Sequence, residues 1–309
     1  MSRLRWCAPL LLLAGLWLSP GVRAQDCPPE PQALAPAQLQ QQARDRGLLW
    51  RISRAGRQSY LYASLHLGRP AWAAPGPQLR QALDQVDALA LEIDPLDSAS
   101  MALPELPAMV LTPAQRQRLE AQARLACLPP QALASLPPLL QLSTLMLLQG
   151  RHLGLDVRWG QEMLLSRWAR DRGLPVLALE SVAEQLQVLL PEDPVQQAHD
   201  LDAGLRQLGA PSRLRRSLDR LVKAWEAGDL RTLARYEDWC DCISSDADRE
   251  ALRRLNDGRN PALAQRIAAL HGAGQSLLVA VGALHMTGPQ ALPKLLRQAG
   301  FTLELVHPR

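Results

Sequence analysis

The stretch 276-SLLVAVGALH-285 is the segment of this sequence whose pattern most clearly predicts a buried β-strand. Six residues, from Ser276 to Val281, form a short and almost wholly apolar run that Gly282 brings to an end. A run of this length and composition is typical of a strand inside a sheet. Beyond the glycine stands His285, a side chain that can bind a metal ion or move a proton. The segment therefore predicts a core strand that delivers a functional residue just past its carboxyl end.

Five further segments have the pattern of short strands, and helical patterns separate most of them. They are residues 48–53, 59–64, 88–93, 175–179 and 300–306. The first two flank the turn sequence Arg54-Ala55-Gly56-Arg57 and predict a hairpin. Strands that alternate with helices are typical of α/β proteins. We therefore expect an α/β fold in which helices flank a central, mostly parallel sheet.

Helix signals occupy the intervals between the strands. Thr112-Pro113 combines a capping residue with a proline at the first helical position, and Ser181 with Glu184 forms a capping box. Helices are predicted at residues 77–85, 113–127, 131–149, 161–172, from 181 onward, 260–271 and 290–299. The chain from about 190 to 258 is helical throughout, rich in arginine and poor in strand patterns. It predicts a long helical insertion into the α/β domain.

The N-terminal residues have the three parts of a secretory signal peptide. Arg3 and Arg5 precede an apolar run from Trp6 to Leu18, and a small-residue cleavage site follows at Ala24. The apolar run is shorter than the roughly 20 residues that span a bilayer. We therefore expect a cleaved signal, no stable membrane span after cleavage, and a periplasmic or secreted protein. An uncleaved anchor is the alternative.

The chain divides accordingly into three parts. Residues 1–24 form the signal peptide, residues 25–47 form a segment rich in proline and glutamine, and residues 48–309 form one domain that holds the helical insertion. The formal net charge of +4 loses the three arginines of the signal, which leaves about +1. A nearly neutral chain whose arginine-rich helices have acidic neighbours and few aromatic residues argues against a nucleic-acid partner.

Four of the five cysteines lie outside the predicted signal, at Cys27, Cys127, Cys240 and Cys242. An even number of cysteines in an exported chain favours disulfides. A single residue separates Cys240 from Cys242, which disfavours a bridge between them, so we expect each to pair with Cys27 or Cys127. A zinc–thiolate site is the competing interpretation, but the sequence lacks the paired CxxC spacing of structural zinc sites.

Four of the predicted strands are followed by a histidine or a glutamate. These residues are His66, Glu92, Glu180 and His285. In open α/β sheets, ligands bind just outside the carboxyl ends of the strands, so parallel neighbours would bring two imidazoles and two carboxylates into one crevice. Such a set suits a divalent transition metal. A metal with an open coordination position can hold and acidify a water molecule for hydrolysis.

Each of these residues also has an ordinary structural interpretation. A histidine or glutamate at a strand end is commonly a loop residue or a cap, and Glu92 has many arginines with which to pair. Glu180 lies just before a helix whose positive N-terminus favours an acid. The presence of such residues at four strand ends raises the weight of the functional interpretation. The other histidines, at positions 152, 199, 271 and 307, lie in helical or terminal contexts and are interpreted as structural or solvated.

Two histidine motifs and the elements between them resemble a known family. The first motif stands as Ala63-Ser64-Leu65-His66 and the second as Gly282-Ala283-Leu284-His285. The elements between them are Leu91-Glu92, Gly154-Leu155-Asp156, Leu179-Glu180 and Arg259-Asn260. In these motifs, from about residue 48 to the end, the chain resembles the TraB/GumN family. That family is similar to Tiki-type metalloproteases and more distantly to erythromycin-esterase and ChaN-like proteins.

The resemblance implies a metal-dependent hydrolase of the peptidase or amidase type, with a peptide or small molecule as substrate. It places His66, Glu92, Glu180 and His285 around a divalent metal, which would be manganese, cobalt or zinc, or around the water on that metal. Two alternatives remain open. One is a non-catalytic envelope protein that carries metal or haem, and the other is a degenerate enzyme that acts as an interaction partner. The sequence also allows a homo-oligomer.

The resemblance further makes Glu92, Arg259 and Asn260 the candidate catalytic residues. Arg259 would steady a developing oxyanion or a substrate carboxylate, because its planar guanidinium forms bidentate hydrogen bonds. A structural ion pair beside a helix cap at Asn260 is the alternative role of Arg259. Asp156 is expected to orient a neighbouring ligand or to cap the helix that starts at Gln161.

This chain departs from the family at Ala63-Ser64, where the family has glycine and threonine. Serine retains the threonine hydroxyl. Alanine adds a methyl group where glycine lets a backbone or ligand approach closely, and it would be strained if the position required a positive φ.

Overall fold

The computed structural model describes residues 27–98, 103–104, 109–129 and 131–308 of the 309-residue chain. The predicted signal peptide and its cleavage site lie outside these residues. Within them, a six-stranded mixed sheet is flanked by helices, which confirms the expected α/β class. No helix in this described part of the chain is both long enough and apolar enough to cross a membrane.

The sheet contains the six strands that the sequence predicts, each displaced by at most two residues. The strands are β1 (Leu49–Arg54), β2 (Arg57–Ser64), β3 (Ala88–Leu91), β4 (Val176–Ala178), β5 (Leu277–Gly282) and β6 (Thr302–His307). Their order across the sheet is β4-β3-β5-β2-β1-β6. Strands β2 to β5 run parallel to one another, whereas β1 pairs antiparallel with β2 and with β6.

Strand β5 lies between β2 and β3 in the middle of the sheet. Its residues from Leu277 to Val281 have no exposed surface, which explains why the strand reads as a continuous apolar run. In the register, Ser64 of β2 lies opposite Gly282, and Leu91 of β3 lies opposite Ala280. The carboxyl ends of β2, β3, β4 and β5 therefore meet along one edge of the sheet, which we call the carboxyl edge.

The predicted hairpin joins β1 to β2 through Ala55 and Gly56. Both residues have a positive φ, of 50° and 77° respectively. Two successive residues with positive φ are typical of the tight turns that match the twist of paired strands. Glycine adopts this conformation without steric cost, so the Gly56 signal in the sequence identified the turn correctly.

The helices lie where the sequence predicts most of them. They are α1 (Pro36–Gln42), α2 (Pro77–Asp84), α3 (Pro113–Leu125), α4 (Pro138–Leu148), α5 (Gln161–Asp171), α6 (Val182–Leu189), α7 (Pro194–Leu208), α8 (Pro211–Glu226), α9 (Leu230–Ala234), α10 (Tyr236–Trp239), α11 (Asp246–Leu255), α12 (Asn260–Gly272) and α13 (Leu292–Gln298). The helix expected from residue 131 begins only at Pro138, because residues 131–136 form turns and a bend. Proline disfavours helical geometry in the residue that precedes it, which accounts for this late start.

The region predicted as a helical insertion contains α7 to α11 and, in this fully described stretch, no strand. Helix α7 packs with α3 and α4 around a small apolar cluster of its own. Leu119, Leu142 and Leu205 are buried in that cluster, one from each helix. A larger cluster surrounds the sheet and includes β5. The chain thus builds its main core on the sheet and a satellite core in the helices.

The cysteines pair differently from the sequence expectation. Disulfides join Cys27 to Cys127 and Cys240 to Cys242, with Cα–Cα distances of 5.6 and 5.0 Å. The expected pairing of each CxC cysteine with Cys27 or Cys127 is therefore wrong. The chain turns at Cys240, where the N–H of Ile243 donates to the Cys240 carbonyl at 3.1 Å. This turn brings the two Cα atoms into the range that a disulfide requires.

Candidate functional site

The carboxyl edge of the sheet brings together the residues that the sequence singled out. One residue follows each parallel strand within three positions, and two more stand at the start of α12. The six residues are His66, Glu92, Glu180, Arg259, Asn260 and His285. Their sequence separations are large, so the parallel order of the strands is what gathers them.

Arg259 bridges the two glutamates. Its Nη2 donates to Oε2 of Glu92 at 2.5 Å and to Oε2 of Glu180, while its Nε donates to Oε1 of Glu180 at 3.0 Å. The amide of Gln185 donates to both carboxylates at 3.2 Å. Both glutamate side chains are less than a tenth exposed. Arg259 is therefore the cation that pairs with two buried carboxylates, and loss of that partner would leave buried charges uncompensated.

The second oxygen of Glu92 faces away from Arg259. Oε1 accepts a hydrogen bond from the N–H of Gly282 at 2.7 Å and lies 3.7 Å from Nε2 of His285. Burial by itself would raise the pKa of Glu92, but the charged groups around it lower that pKa to about 2. Those groups are His285 and His66, each in its protonated form, and Arg259, and the hydrogen bond from the Gly282 N–H adds to the effect. A carboxylate with so low a pKa is a poor proton acceptor at neutral pH and suits the role of a ligand.

Asn260 fixes the position of the hydrogen on His285. The Asn260 Nδ2 donates to the carbonyls of His285 and Gln290 at 3.2 and 2.9 Å, so its Oδ1 faces Nδ1 of His285 at 2.6 Å. An amide oxygen can only accept, so Nδ1 carries the hydrogen and the lone pair is on Nε2, which Nη1 of Arg259 faces at 3.4 Å. Burial lowers the pKa of His285, and the ring is neutral at pH 7. The Asn260 side chain thus serves His285 instead of capping α12, whose cap residue is Arg259.

Glu162, which the sequence did not single out, orients the ring of His66 in the way that Asn260 orients the ring of His285. Its Oε1 lies 3.1 Å from Nδ1 of His66 and accepts a hydrogen bond from the Ser64 hydroxyl. The Glu162 carboxylate raises the pKa of His66, and water screens part of this effect because the ring is 62% exposed. A carboxylate facing Nδ1 keeps a hydrogen there and favours the charged ring, so Nε2 presents a lone pair only when the ring gives up its second proton. Ser64 supplies the hydroxyl that the family's threonine would supply.

Gly282 leaves a small cradle between these groups. A methyl group on its Cα would lie 3.4 Å from Oε1 of Glu92, 3.6 Å from Cδ2 of His285 and 3.7 Å from Nε2 of His66. One point therefore lies within van der Waals distance of a carboxylate oxygen and two imidazoles. The φ of Gly282 is −51°, which any residue adopts. The glycine thus provides space and is not required by the backbone conformation.

The structure places Glu180 and Arg259 differently from what the sequence suggests. Both oxygens of Glu180 are bonded to Arg259, so this carboxylate faces the arginine. The guanidinium also donates from Nη1 to the Leu255 carbonyl at 3.1 Å and to Nε2 of His285 at 3.4 Å. Across the described residues, no group of three or more His, Cys, Asp or Glu side chains is arranged to hold a metal ion.

Two motif residues stand outside this network. Ala63 lies within β2 and has no positive φ, so the alanine is unstrained. Its carbonyl accepts a hydrogen bond from Nε1 of Trp225 at 2.7 Å. Asp156 pairs with Arg151 and Arg158 and caps the short turn that follows it, so it does not cap α5. Both residues stabilise the frame around the carboxyl edge.

We expect the variant Glu162→Gln to lower the pKa of His66 by roughly one unit, because a carboxylate within hydrogen-bond distance favours the charged imidazole by that order. A pH titration of the His66 ring protons by NMR measures this shift. The variant Glu184→Gln, which removes an exposed carboxylate at the start of α6, is the matched control. An unchanged His66 pKa in Glu162→Gln would show that the contact has no electrostatic effect.

Comparison with known proteins identifies the family of this chain. No curated protein and no solved structure matches it. The model of the TraB/PrgY/gumN family matches residues 48–305. That range starts just before β1, ends within β6 and contains the whole network at the carboxyl edge. The resemblance seen in the two histidine motifs is thereby confirmed, and the chain belongs to the TraB/PrgY/gumN family.

Proposed function

We propose that this chain is an exported, metal-dependent hydrolase that cleaves a peptide or amide bond at the carboxyl edge of its sheet. The observation that carries the proposal is the cradle at Gly282, around which His66, His285 and Oε1 of Glu92 are gathered. The peptide or amide class is supported by the resemblance of the family to Tiki-type metalloproteases. Membership of the TraB/PrgY/gumN family is consistent with it.

By their chemistry, three donor atoms in this set suit a divalent transition metal, although the described residues do not hold them in the arrangement of a formed metal site. Imidazole nitrogens and a carboxylate oxygen suit such a metal, which would displace the proton from Nε2 of His66 on binding. The other ring nitrogen of each histidine is held by an outer partner, as is usual for metal-binding histidines. Ligands about 2.1 Å from a tetrahedral metal lie about 3.4 Å apart. Nε2 of His285 and Oε1 of Glu92 are 3.7 Å apart. A bound metal would polarise the scissile carbonyl or acidify a water molecule.

The remaining residues hold this donor set in place. Arg259 fixes Glu92 through Oε2 and leaves Oε1 free to face the cradle. Glu180 is paired with Arg259, and we assign it no role as a metal ligand. Asn260 and Glu162 set the orientation of the two imidazoles. The Nη1 hydrogen of Arg259 that faces Nε2 of His285 at 3.4 Å becomes available to a substrate oxygen only when it leaves that nitrogen.

Export is part of the proposal on two grounds. The sequence before residue 25 has the pattern of a cleaved signal peptide. The two disulfides favour an oxidising compartment such as the periplasm or the extracellular space. N-terminal sequencing of the protein recovered from an expressing bacterium tests this part, and we expect a start at Gln25.

The variant Gly282→Ala tests the site with a single methyl group. The methyl stands at ordinary van der Waals distances from its neighbours, so we expect the fold and the unfolding midpoint to be retained. Because the methyl fills the cradle, we expect the affinity for Mn²⁺, Co²⁺ and Zn²⁺ to fall by about 100-fold or more, and cleavage of a peptide pool to cease. Calorimetric titration and mass spectrometry measure the two effects.

The variant Gly272→Ala is the matched control, since it adds the same methyl at the exposed end of α12. Equal metal affinity in Gly282→Ala and Gly272→Ala would exclude the cradle as the site. Tight metal binding by the unmodified protein without cleavage of any peptide would exclude the hydrolase and favour the carrier.

A further inference from the structure

The loop between α10 and α11 carries the Cys240–Cys242 disulfide, and hydrogen bonds hold this loop independently of the bridge. The N–H of Asp241 donates to the Ser217 hydroxyl at 3.1 Å, and the amide of Gln207 donates to the Cys242 carbonyl at 3.3 Å. These bonds tie the loop to α8 and α7. They remain available when the disulfide is open.

The bridge itself adds little to the stability of the fold. It joins residues separated by 2 positions, whereas the other disulfide joins residues separated by 100. A cross-link stabilises a protein mainly by restricting the unfolded chain, and a short loop is restricted least. The fold therefore tolerates the opening of Cys240–Cys242 much better than that of Cys27–Cys127.

The two sulfur atoms of the CxC bridge differ in their surroundings. Cys240 is 5% exposed, whereas Cys242 is partly exposed. The Tyr236 hydroxyl lies 3.3 Å from both sulfurs, and it must be the donor because disulfide sulfurs carry no hydrogen. The N–H of Cys242 also donates to Sγ of Cys240 at 3.3 Å. Two donors are therefore in place for a thiolate on Cys240.

A positively charged cavity adjoins this loop. Trp239, the residue before Cys240, lines the cavity, whose volume is about 280 Å³. The charged residues that line it are Arg220, Arg231, Arg235 and Asp229. The Asp229 carboxylate is bonded to the N–H and hydroxyl of Thr232. Arg235 is also paired with Asp238 at 3.2 Å. The charge that remains around the cavity is still net positive, which favours the approach of a thiolate, the reactive form of a thiol.

We propose that Cys240–Cys242 is a thiol–disulfide exchange centre that accepts two electrons from a dithiol. A thiolate of the dithiol attacks Sγ of Cys242, so a new S–S bond forms there while the Cys240–Cys242 bond breaks. Cys240 leaves as a thiolate, which the Tyr236 hydroxyl and the Cys242 N–H stabilise. The second thiolate of the dithiol then attacks its own mixed disulfide and releases Cys242. The dithiol ends as a cyclic disulfide, and its two protons end on the two cysteines.

The direction of attack is tested with reduced glutathione, a monothiol that forms a mixed disulfide. The purified protein is incubated with the probe, quenched with acid, alkylated, digested and mapped by mass spectrometry. We expect about a tenfold excess of the adduct on Cys242 over Cys240, because the better-stabilised thiolate leaves faster. An adduct mainly on Cys240 would overturn the proposal. So would modification of Cys27 or Cys127 alone.

The role of the donors is tested with Tyr236→Phe, which keeps the ring and removes the hydroxyl. We expect opening of Cys240–Cys242 by dithiothreitol to slow about fivefold, the effect of losing one hydrogen bond of about 1 kcal/mol. The opening rate of Cys27–Cys127 in the same samples should not change. Tyr60→Phe, which removes a distant hydroxyl bonded to Gln85, is the matched control. Equal rates in both variants would refute the role of Tyr236.

Two probes distinguish the source of the dithiol. Dithiothreitol represents small dithiols, and a reduced peptide with a CxxC sequence represents protein dithiols. Opening by dithiothreitol alone assigns the centre to small dithiols, and opening by both assigns it to protein dithiols as well. A bridge that resists both probes, at concentrations that open Cys27–Cys127, would end the proposal.

Discussion

The variant His285→Ala is expected to abolish metal binding, with a loss of affinity well above the 10- to 100-fold that follows loss of an outer partner. His285 supplies one of the two imidazoles at the cradle, and its ring is 3% exposed. Its removal leaves Oδ1 of Asn260 without the donor that now lies 2.6 Å away. Calorimetric titration with Mn²⁺, Co²⁺ and Zn²⁺ measures the affinity, and a peptide-cleavage assay on the same samples measures the activity.

A second buried histidine provides the matched control for that experiment. His271 is 1% exposed and lies at the opposite edge of the sheet, where Ser59 and the Arg54 carbonyl hold its ring nitrogens. His271→Ala also leaves polar groups unpaired, at a cost of about 1–3 kcal/mol. It should lower the unfolding midpoint and leave metal affinity intact. Loss of metal binding in His271→Ala to the same extent would show that the effect of His285→Ala is one of folding.

The variant Arg259→Leu is expected to lower the free energy of unfolding by about 3–5 kcal/mol at pH 7. Leucine fills much of the space but leaves the buried carboxylates of Glu92 and Glu180 without their cation. Urea unfolding followed by far-ultraviolet circular dichroism measures the loss. Arg259→Lys retains one charge but cannot bridge both glutamates, so it should fall between the parent and Arg259→Leu.

The pH dependence of the free energy of unfolding, compared between the parent and Arg259→Leu, provides a second test of the charge effect of the bridge. In the parent, the pKa of Glu92 falls from the ordinary 4.5 to about 2 on folding, so its contribution to stability is present above pH 4.5 and is lost as the pH falls toward 2. Without the cation, the folded-state pKa of Glu92 rises, so this carboxyl takes up a proton at a higher pH than it does in the parent. The difference between parent and Arg259→Leu should therefore shrink between pH 7 and pH 4. A difference that is constant across this range would show that the bridge carries no charge effect.

Much of this fold could be predicted because the sheet is built from uninterrupted apolar runs. Strand β5 is buried along its length, so its sequence carries no competing polar pattern, and the hairpin turn is marked by Gly56. The strand ends then identify His66, Glu92, Glu180 and His285 without any knowledge of the helices. Parallel strands have one carboxyl edge, so the convergence of these residues follows from topology.

Other features depend on contacts that leave no local trace in the sequence. Glu162 stands in the first turn of α5, where an acid is expected for its effect on the helix dipole alone. Its partner His66 is 96 positions away in sequence, so no spacing rule connects the two. Arg259 is also remote in sequence from the glutamates that it bridges, by 167 positions from Glu92 and 79 from Glu180, and only the fold shows that Glu180 faces it. The prediction for the CxC cysteines was wrong because their separation in sequence does not show the local turn at Cys240.

The position of β5 in the sheet has a consequence for the order in which this protein assembles. Its two neighbours, β2 and β3, precede it by more than 180 residues, and neither can pair with the other once the order β3-β5-β2 is fixed. Until Leu277 and the residues after it are available, each neighbour presents an unpaired apolar edge, which is a hazard for aggregation. Contacts between segments so far apart in sequence also form slowly. A chain that is synthesised from its N-terminus is therefore inactive and depends on protection from aggregation until β5, its penultimate strand, is available. The cradle forms in that same step.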